Sequence, residues 1–284
     1  MTVVHTVLGP VPAEELGVVA VHEALLSVVP GAQHGFDITI DRAEIFETLA
    51  AQLCEFAAYG GGTVVDSTGM FHGRDVRLYE ALSRATGVHI VASTGMGPEA
   101  MLGGYFLTPQ TNPPTPWPAE KFADLFTREI TEGMVVPRVE RRGSAGMVVS
   151  STTQGGRTAT DESLLQGLAR AALATGAPVS LRLDSVDDLD VVLKEGLPAH
   201  RIAVVTDDPA AVAERGAYVV VTDPAAVDGL PPDRVLLASG GVAVSVGEDA
   251  PPASYAGLLT ALPADVVDQV LVANPRALLA IEGS

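Results

Sequence analysis

Short apolar runs alternate with segments of helical spacing along the whole chain. Residues 18–21 form the first apolar run and read as a strand. Residues 41–59 have helical spacing, open on an acidic turn and stop at Gly60-Gly61-Gly62. The pattern then predicts strands at 63–66, 89–93, 147–150, 179–183, 202–205, 218–221 and 235–238. Helices are predicted at 74–86, 120–132, 161–175, 187–195, 209–215 and 263–281, several of them halted by glycine at 87, 133 or 176. The strands are continuously apolar, as expected where both faces are buried. Eight such strands, most followed by a helix, in a chain of 284 residues predict a closed (β/α)₈ barrel. A doubly wound open sheet would alternate in the same way.

Two segments depart from the repeat. Residues 97–118 form a long loop carrying Tyr105-Phe106 and the proline-rich run from Asn112 to Pro118, and a loop of that length on a barrel is usually functional or a contact surface. Between 221 and 235 there is room only for turns, with Pro224, Pro231 and Pro232 present, so the seventh βα unit is expected to be irregular.

Composition narrows the function classes. A formal charge of −18 argues against nucleic acid or an anionic membrane as a partner, since both need a basic surface. No apolar run is long enough to span a bilayer, and Pro10, Pro12, Glu14 and Glu15 interrupt any leader-like layout. The expectation is one cytoplasmic domain over residues 1–284. Cys54 is alone and, within a helical run, is expected to be buried.

Four stretches carry a more specific signal: the opening Thr6 to Gly17 with Val21-His22-Glu23-Ala24; Val65 to Asp75, which includes Asp66, Ser67, Thr68, His72 and Arg74; His89 to Gly95; and Val270 to Arg276. Together they resemble the phosphotriesterase family of the amidohydrolase superfamily. The resemblance implies a phosphotriesterase-like (β/α)₈ barrel whose first strand ends in a His-x-His pair binding two divalent metals. In this chain the pair reads His22-Glu23-Ala24. The family's bridging lysine or glutamate falls on Val149, its histidines after strands five and six on Arg182 and Thr206, and its strand-eight aspartate on Gly240 beside Ser239. Only His22 survives. Valine and glycine offer no donor, and a fixed guanidinium repels a dication. No metal and no other cofactor is therefore expected.

The strand ends that would face the pocket instead offer one cation, one histidine and many hydroxyls. Arg182 could hold a carboxylate or phosphate or stabilise an oxyanion, with His22, Asp66 or Asp207 moving a proton. Arg182 could equally pair with Asp207 or Asp208 and plug an empty barrel, while Asp66 and Arg74 also suit bracing of the second strand. His72, Thr94, Thr206, Ser239 and Tyr105 are candidate substrate contacts. Gly95-Met96-Gly97-Pro98-Glu99-Ala100 mimics a dinucleotide turn but has no acidic strand end about 20 residues later. None of Ser67, Ser150 and Ser239 sits in a Gly-x-Ser-x-Gly elbow. Three readings follow. One is a metal-independent enzyme for a small anionic or carbonyl compound, working as a lyase, isomerase, cyclase or ester-cleaving enzyme. Another is a non-catalytic pseudoenzyme serving as partner subunit or small-molecule binder. The last is a metal hydrolase of the phosphotriesterase or lactonase type with a rebuilt site. The family also suggests a homodimer or a heteromer with a homologue.

Overall fold

Eight parallel strands lie in sequential order in the computed structural model. The structure describes residues 2–283 except 30, 33, 34, 36, 37, 71, 103–106, 109–114 and 137–139. Strand one is Val18–Val28, strand two Gly61–Asp66, strand three His89–Gly95 and strand four Met147–Ser151. Strand five is Val179–Arg182, strand six Ile202–Val205, strand seven Tyr218–Val221 and strand eight Val235–Leu237. Each pairs in parallel with the next, from one through to eight. Strand one then pairs on its free side with a continuation of strand eight, Val242–Val246. The two ends of the sheet are thus consecutive in the chain, joined by residues 238–241, and the sheet closes as a (β/α)₈ barrel.

Alternation along the strands sorts the core into two layers. Val19, Val21, Val65, Val91, Met147, Val149, Leu236 and Ala238 fill the barrel interior. Their sequence neighbours Ala20, Val64, Ile90, Val148, Val235 and Leu237, with Val179 and Leu181 on either side of Ser180, face the helices. This period of two, with both faces apolar, is why the strands read as unbroken hydrophobic runs. The N-terminal ends of the strands are closed by a hairpin, Thr2–Thr6 against Gly9–Pro12, which also pairs with Ile281–Glu282. Val4, Leu16, Leu278 and Leu279 join the interior cluster there. Ile281 therefore belongs to a strand, whereas its position in the sequence predicted the end of a helix.

Helix α1, Arg42–Ala58, is capped by Asp41, which accepts from the backbone N–H of Ala43 and Glu44. It buries Ile45, Leu49, Leu53 and Phe56. Cys54 is exposed, contrary to expectation, because it lies about 100° round the helix from Leu53. Helix α2, Val76–Thr86, starts at the Asp75 cap and ends at left-handed Gly87. Helix α3, Ala119–Thr131, packs on α4, Ala159–Thr175, which opens with a capping box of Thr158 and Asp161. Helices α5, Leu189–Lys194, and α6, Pro209–Glu214, are short. After strand seven come only the 3₁₀ turns Pro224–Gly229 and Pro232–Arg234, so the seventh unit lacks its α-helix, as the prolines foretold. Asn274, buried at the start of the last helix, donates to the carbonyls of Pro232 and Val235 at 2.7 Å each and pins the entry to strand eight. Among the described residues no helix is long and apolar enough to cross a membrane.

Candidate active site

The first strand does not run straight into the barrel mouth. Ala20 is in register with Val64 but Glu23 with Asp66, so one extra residue stands on strand one. The bulge centres on His22, whose φ of 55° is the one positive value among the described non-glycine residues. Left-handed backbone is disfavoured for a side chain with a Cβ, and bulges of this kind re-aim side chains near functional sites. Here the bulge sends consecutive residues in different directions. His22 reaches across the interior to Ser180 of strand five, with Nδ1 and Oγ 2.7 Å apart. Glu23 turns toward the seam between strands one and eight.

Glu23 is fully buried. One carboxylate oxygen accepts from the Ser239 backbone N–H at 2.7 Å and the other accepts from the Ser239 hydroxyl. Its pKa is pushed up to about 7 by burial, opposed by the two Ser239 hydrogen bonds and assisted by the charge of nearby Asp66. Asp66 follows Val65 on the helix-facing side of strand two. It accepts from Leu25 N–H at 2.9 Å and from Thr68 N–H and Oγ–H at 3.3 and 2.5 Å, and burial raises its pKa as well. These contacts tie strand one to strand two. Deeper in the same layer Arg74 forms a two-pronged buried ion pair with Glu129, at 2.6 and 3.0 Å, and donates to the Ser93 carbonyl. Burial works to raise the Glu129 carboxyl, but Arg74 holds it below its ordinary value.

Above the interior core, at the C-terminal ends of the strands, lies a cavity of about 230 Å³. It draws on the ends of strands one to five: His22 and Ser27; Ser67, Thr68 and His72; Met96, Gly97 and Met101; Val149, Ser150 and Ser151; Ser180 and Arg182. Gly95 makes this mouth possible. With φ of 106°, its Cα sits where any Cβ would fall 1.9 Å from the Val149 carbonyl oxygen. In a chain of net charge −18, the described lining holds no carboxylate and one guanidinium. Glu248 stands at the rim, accepting from Ser27 Oγ at 2.6 Å. Arg182 has no ion-pair partner among the described residues, so it is not neutralised by Asp207 or Asp208. The buried Ser67 hydroxyl likewise lacks a hydrogen-bond partner. The His22 pKa is lowered to about 3, first by burial and then by the Arg182 charge, so the imidazole is neutral at pH 7. Burial also lowers His72, against the opposing pull of the Gly97 backbone and Glu248.

The structure brings His22, Arg182 and His72 to one cavity and leaves the other candidates outside its described lining. Asp66 braces the seam as just described. Asp207 is exposed on the turn after strand six, where Asp208 caps α6 through Ala211 N–H and Thr206 Oγ accepts from Asp208 N–H at 3.4 Å. Thr94 is buried beside Glu129. Ser239 is committed to Glu23. Tyr105 lies outside the described residues. Two residues of consequence were not singled out. Ser180 lies two positions before Arg182 on the same strand, so period-two alternation already put both on the inner face. Glu23 gave no such signal, because the bulge at His22 breaks the alternation that would have placed it.

The donor set for a binuclear metal centre is not formed by these residues. Among those described, no three His, Cys, Asp or Glu side chains converge on a point. Val149 and Arg182 stand in the cavity where the resemblance would put a bridging ligand and a histidine. His22 Nδ1 is engaged by Ser180.

Comparison with known proteins places this arrangement. The sequence model of the Phosphotriesterase family matches residues 2–202. A phosphotriesterase homology protein of Mycobacterium tuberculosis is 27% identical over 212 residues, covering 72% of this chain and 63% of that protein. An aryldialkylphosphatase of Saccharolobus solfataricus is 27% identical over 199 residues, covering 68% and 60%. An N-acetyltaurine hydrolase of Salmo salar is 26% identical over 203 residues, covering 62% and 55%. The match therefore spans less than two thirds of the length of these relatives. A solved structure from work on engineering organophosphate hydrolysis from a weak promiscuous lactonase superposes with a TM-score of 0.78 at 20% identity, over 98% of this chain and 100% of that one.

Proposed function

The chain belongs to the phosphotriesterase family, and from that premise we propose that its barrel mouth is a metal-independent active site for bond cleavage in a small anionic or carbonyl compound. The reading is supported chiefly by the charge pattern of the cavity: an unpaired Arg182 and no carboxylate in the described lining of a strongly acidic protein. A guanidinium in that setting attracts a carboxylate, a phosphate or a developing oxyanion. The Ser67 hydroxyl, without a partner among the described residues, and the neighbouring Ser151 supply hydrogen bonds to the same guest. Neutral His22 fits a proton acceptor better than a second anion-binding cation. The relatives' names, which include an aryldialkylphosphatase and an N-acetyltaurine hydrolase, favour hydrolysis over the other cleavage chemistries. The family resemblance implies metal ligands at the positions that Val149 and Arg182 occupy here, so the hydrolysis proposed runs without a metal.

The test is a panel of small esters, lactones and phosphate esters, assayed on protein treated with chelator and on protein loaded with zinc, manganese or cobalt. Turnover that survives chelation and falls in Arg182→Ala supports the site. Turnover that appears only with stoichiometric metal, and ignores Arg182→Ala, overturns it.

A further inference from the structure

We propose that Ser180 is the nucleophile of this site, with His22 as the base that takes its proton, so that cleavage of a small carboxylic ester proceeds through an acyl-Ser180 intermediate. The inference rests on the proposed metal-free site and adds what that reading leaves open, the atom that attacks. Three observations carry it. Ser180, a buried residue of the cavity wall, has its Oγ 2.7 Å from His22 Nδ1, the separation required of a nucleophile and its base. The bond joins residues 158 positions apart and is made from the one non-glycine left-handed residue described, a conformation disfavoured for a side chain with a Cβ. Arg182 stands two residues further along the inner face of the same strand, at the same cavity, where a cation can face the oxyanion formed on attack.

The step balances without a co-reactant. With the imidazole hydrogen on Nε2, Nδ1 accepts the Ser180 hydroxyl proton as Oγ bonds to the ester carbonyl carbon. The tetrahedral intermediate, its oxyanion facing Arg182, collapses with cleavage of the bond to the alkoxy oxygen, which leaves as the alcohol with the proton held by His22. Water then attacks the acyl carbon and gives a proton to His22, which passes it to Ser180 Oγ as the bond from that oxygen to the acyl carbon breaks, releasing the carboxylic acid and restoring Ser180 and neutral His22. With an activated ester the leaving group departs readily while the attacking water still depends on His22, so acylation outruns deacylation and the adduct accumulates.

The experiment incubates the full chain with p-nitrophenyl acetate in chelator, quenches in acid, and reads intact and peptide mass. One acetyl group on the peptide containing Ser180 is expected, absent in Ser180→Ala. His22→Asn is expected to acetylate about 100-fold more slowly, and asparagine tolerates the left-handed backbone that position needs. Thermal stabilisation of each variant by inorganic phosphate is measured alongside. Ser180→Ala should keep it and Arg182→Ala should lose it. No acetyl group on Ser180, or equal acetylation elsewhere that persists in Ser180→Ala, overturns the nucleophile whatever phosphate does. Loss of phosphate stabilisation in the wild type, with Ser180 still acetylated, overturns the anion site and leaves the nucleophile standing.

Discussion

His22 and Glu23 are neighbours in the chain, each holds a serine more than 150 positions away, and their surroundings separate their roles. The Glu23–Ser239 pair lies in the seam where strand eight breaks and strand one must still be joined, with Glu23 itself buried. Every acceptor of the carboxylate that is used there is used by Ser239, and the neighbours Asp66 and Tyr255 are buried too. The His22–Ser180 pair opens instead on a cavity with an unpaired cation and an unsatisfied hydroxyl. The same kind of contact therefore closes a barrel in one place and is free to do chemistry in the other. What decides between them is whether a guest can reach the pair, and whether the charge beside it is already answered.

The largest effect should come from breaking the seam. Glu23→Ala leaves the Ser239 N–H and hydroxyl without their acceptor and a void beside Tyr255, so a loss of about 3 kcal/mol is expected in urea unfolding. If the two regions are separate, phosphate should still bind the folded fraction through Arg182. Glu23→Gln sharpens the same point through pH. The folded pKa of Glu23, about 7, stands above its ordinary 4.5, so its contribution to stability is full below pH 4.5 and is lost as pH rises through 7. The wild type should lose about 3 kcal/mol relative to Glu23→Gln between pH 4 and pH 8. Equal pH slopes in the two proteins would show that the carboxylate is not held as described. Ser239→Ala removes one hydroxyl from the pair and should cost about 1–2 kcal/mol by the same measurement.

Changes at the mouth should barely touch stability. Arg182→Ala removes an exposed side chain with no ion-pair partner among the described residues, so unfolding should move by less than about 0.5 kcal/mol while phosphate stabilisation disappears. Asp207→Asn, on an exposed turn outside the described lining, should alter neither stability beyond about 0.5 kcal/mol nor anion binding. A strong loss of anion binding in that variant would mean the site reaches past strand five.

Much of this was legible in the sequence, and the limits were physical. Strands such as 202–205 and 218–221 were read at the bounds the structure has, because a strand buried on both faces is marked by an unbroken apolar run. Strand one was read as 18–21 but extends to Val28, since beyond Val21 the bulge and the polar residues His22 and Glu23 interrupt the apolar signal. The continuation of strand eight at Val242–Val246 was missed for a similar reason. Ser239-Gly240-Gly241 reads as an end, and only the pairing with strand one shows that the strand resumes. At the site, Arg182 and His22 stood out because they occupy positions where the family resemblance implies metal ligands. Ser180 was within reach of simple alternation from Arg182. Glu23 was not, because its direction depends on the backbone of the residue before it.

The central claim is that Arg182 supplies the positive charge that a metal would otherwise bring. Its most direct test is calorimetric titration of inorganic phosphate into chelator-treated protein, wild type and Arg182→Ala side by side. The account predicts saturable binding in the wild type, unchanged by added zinc and abolished in the variant. Binding that needs zinc and survives Arg182→Ala would contradict it.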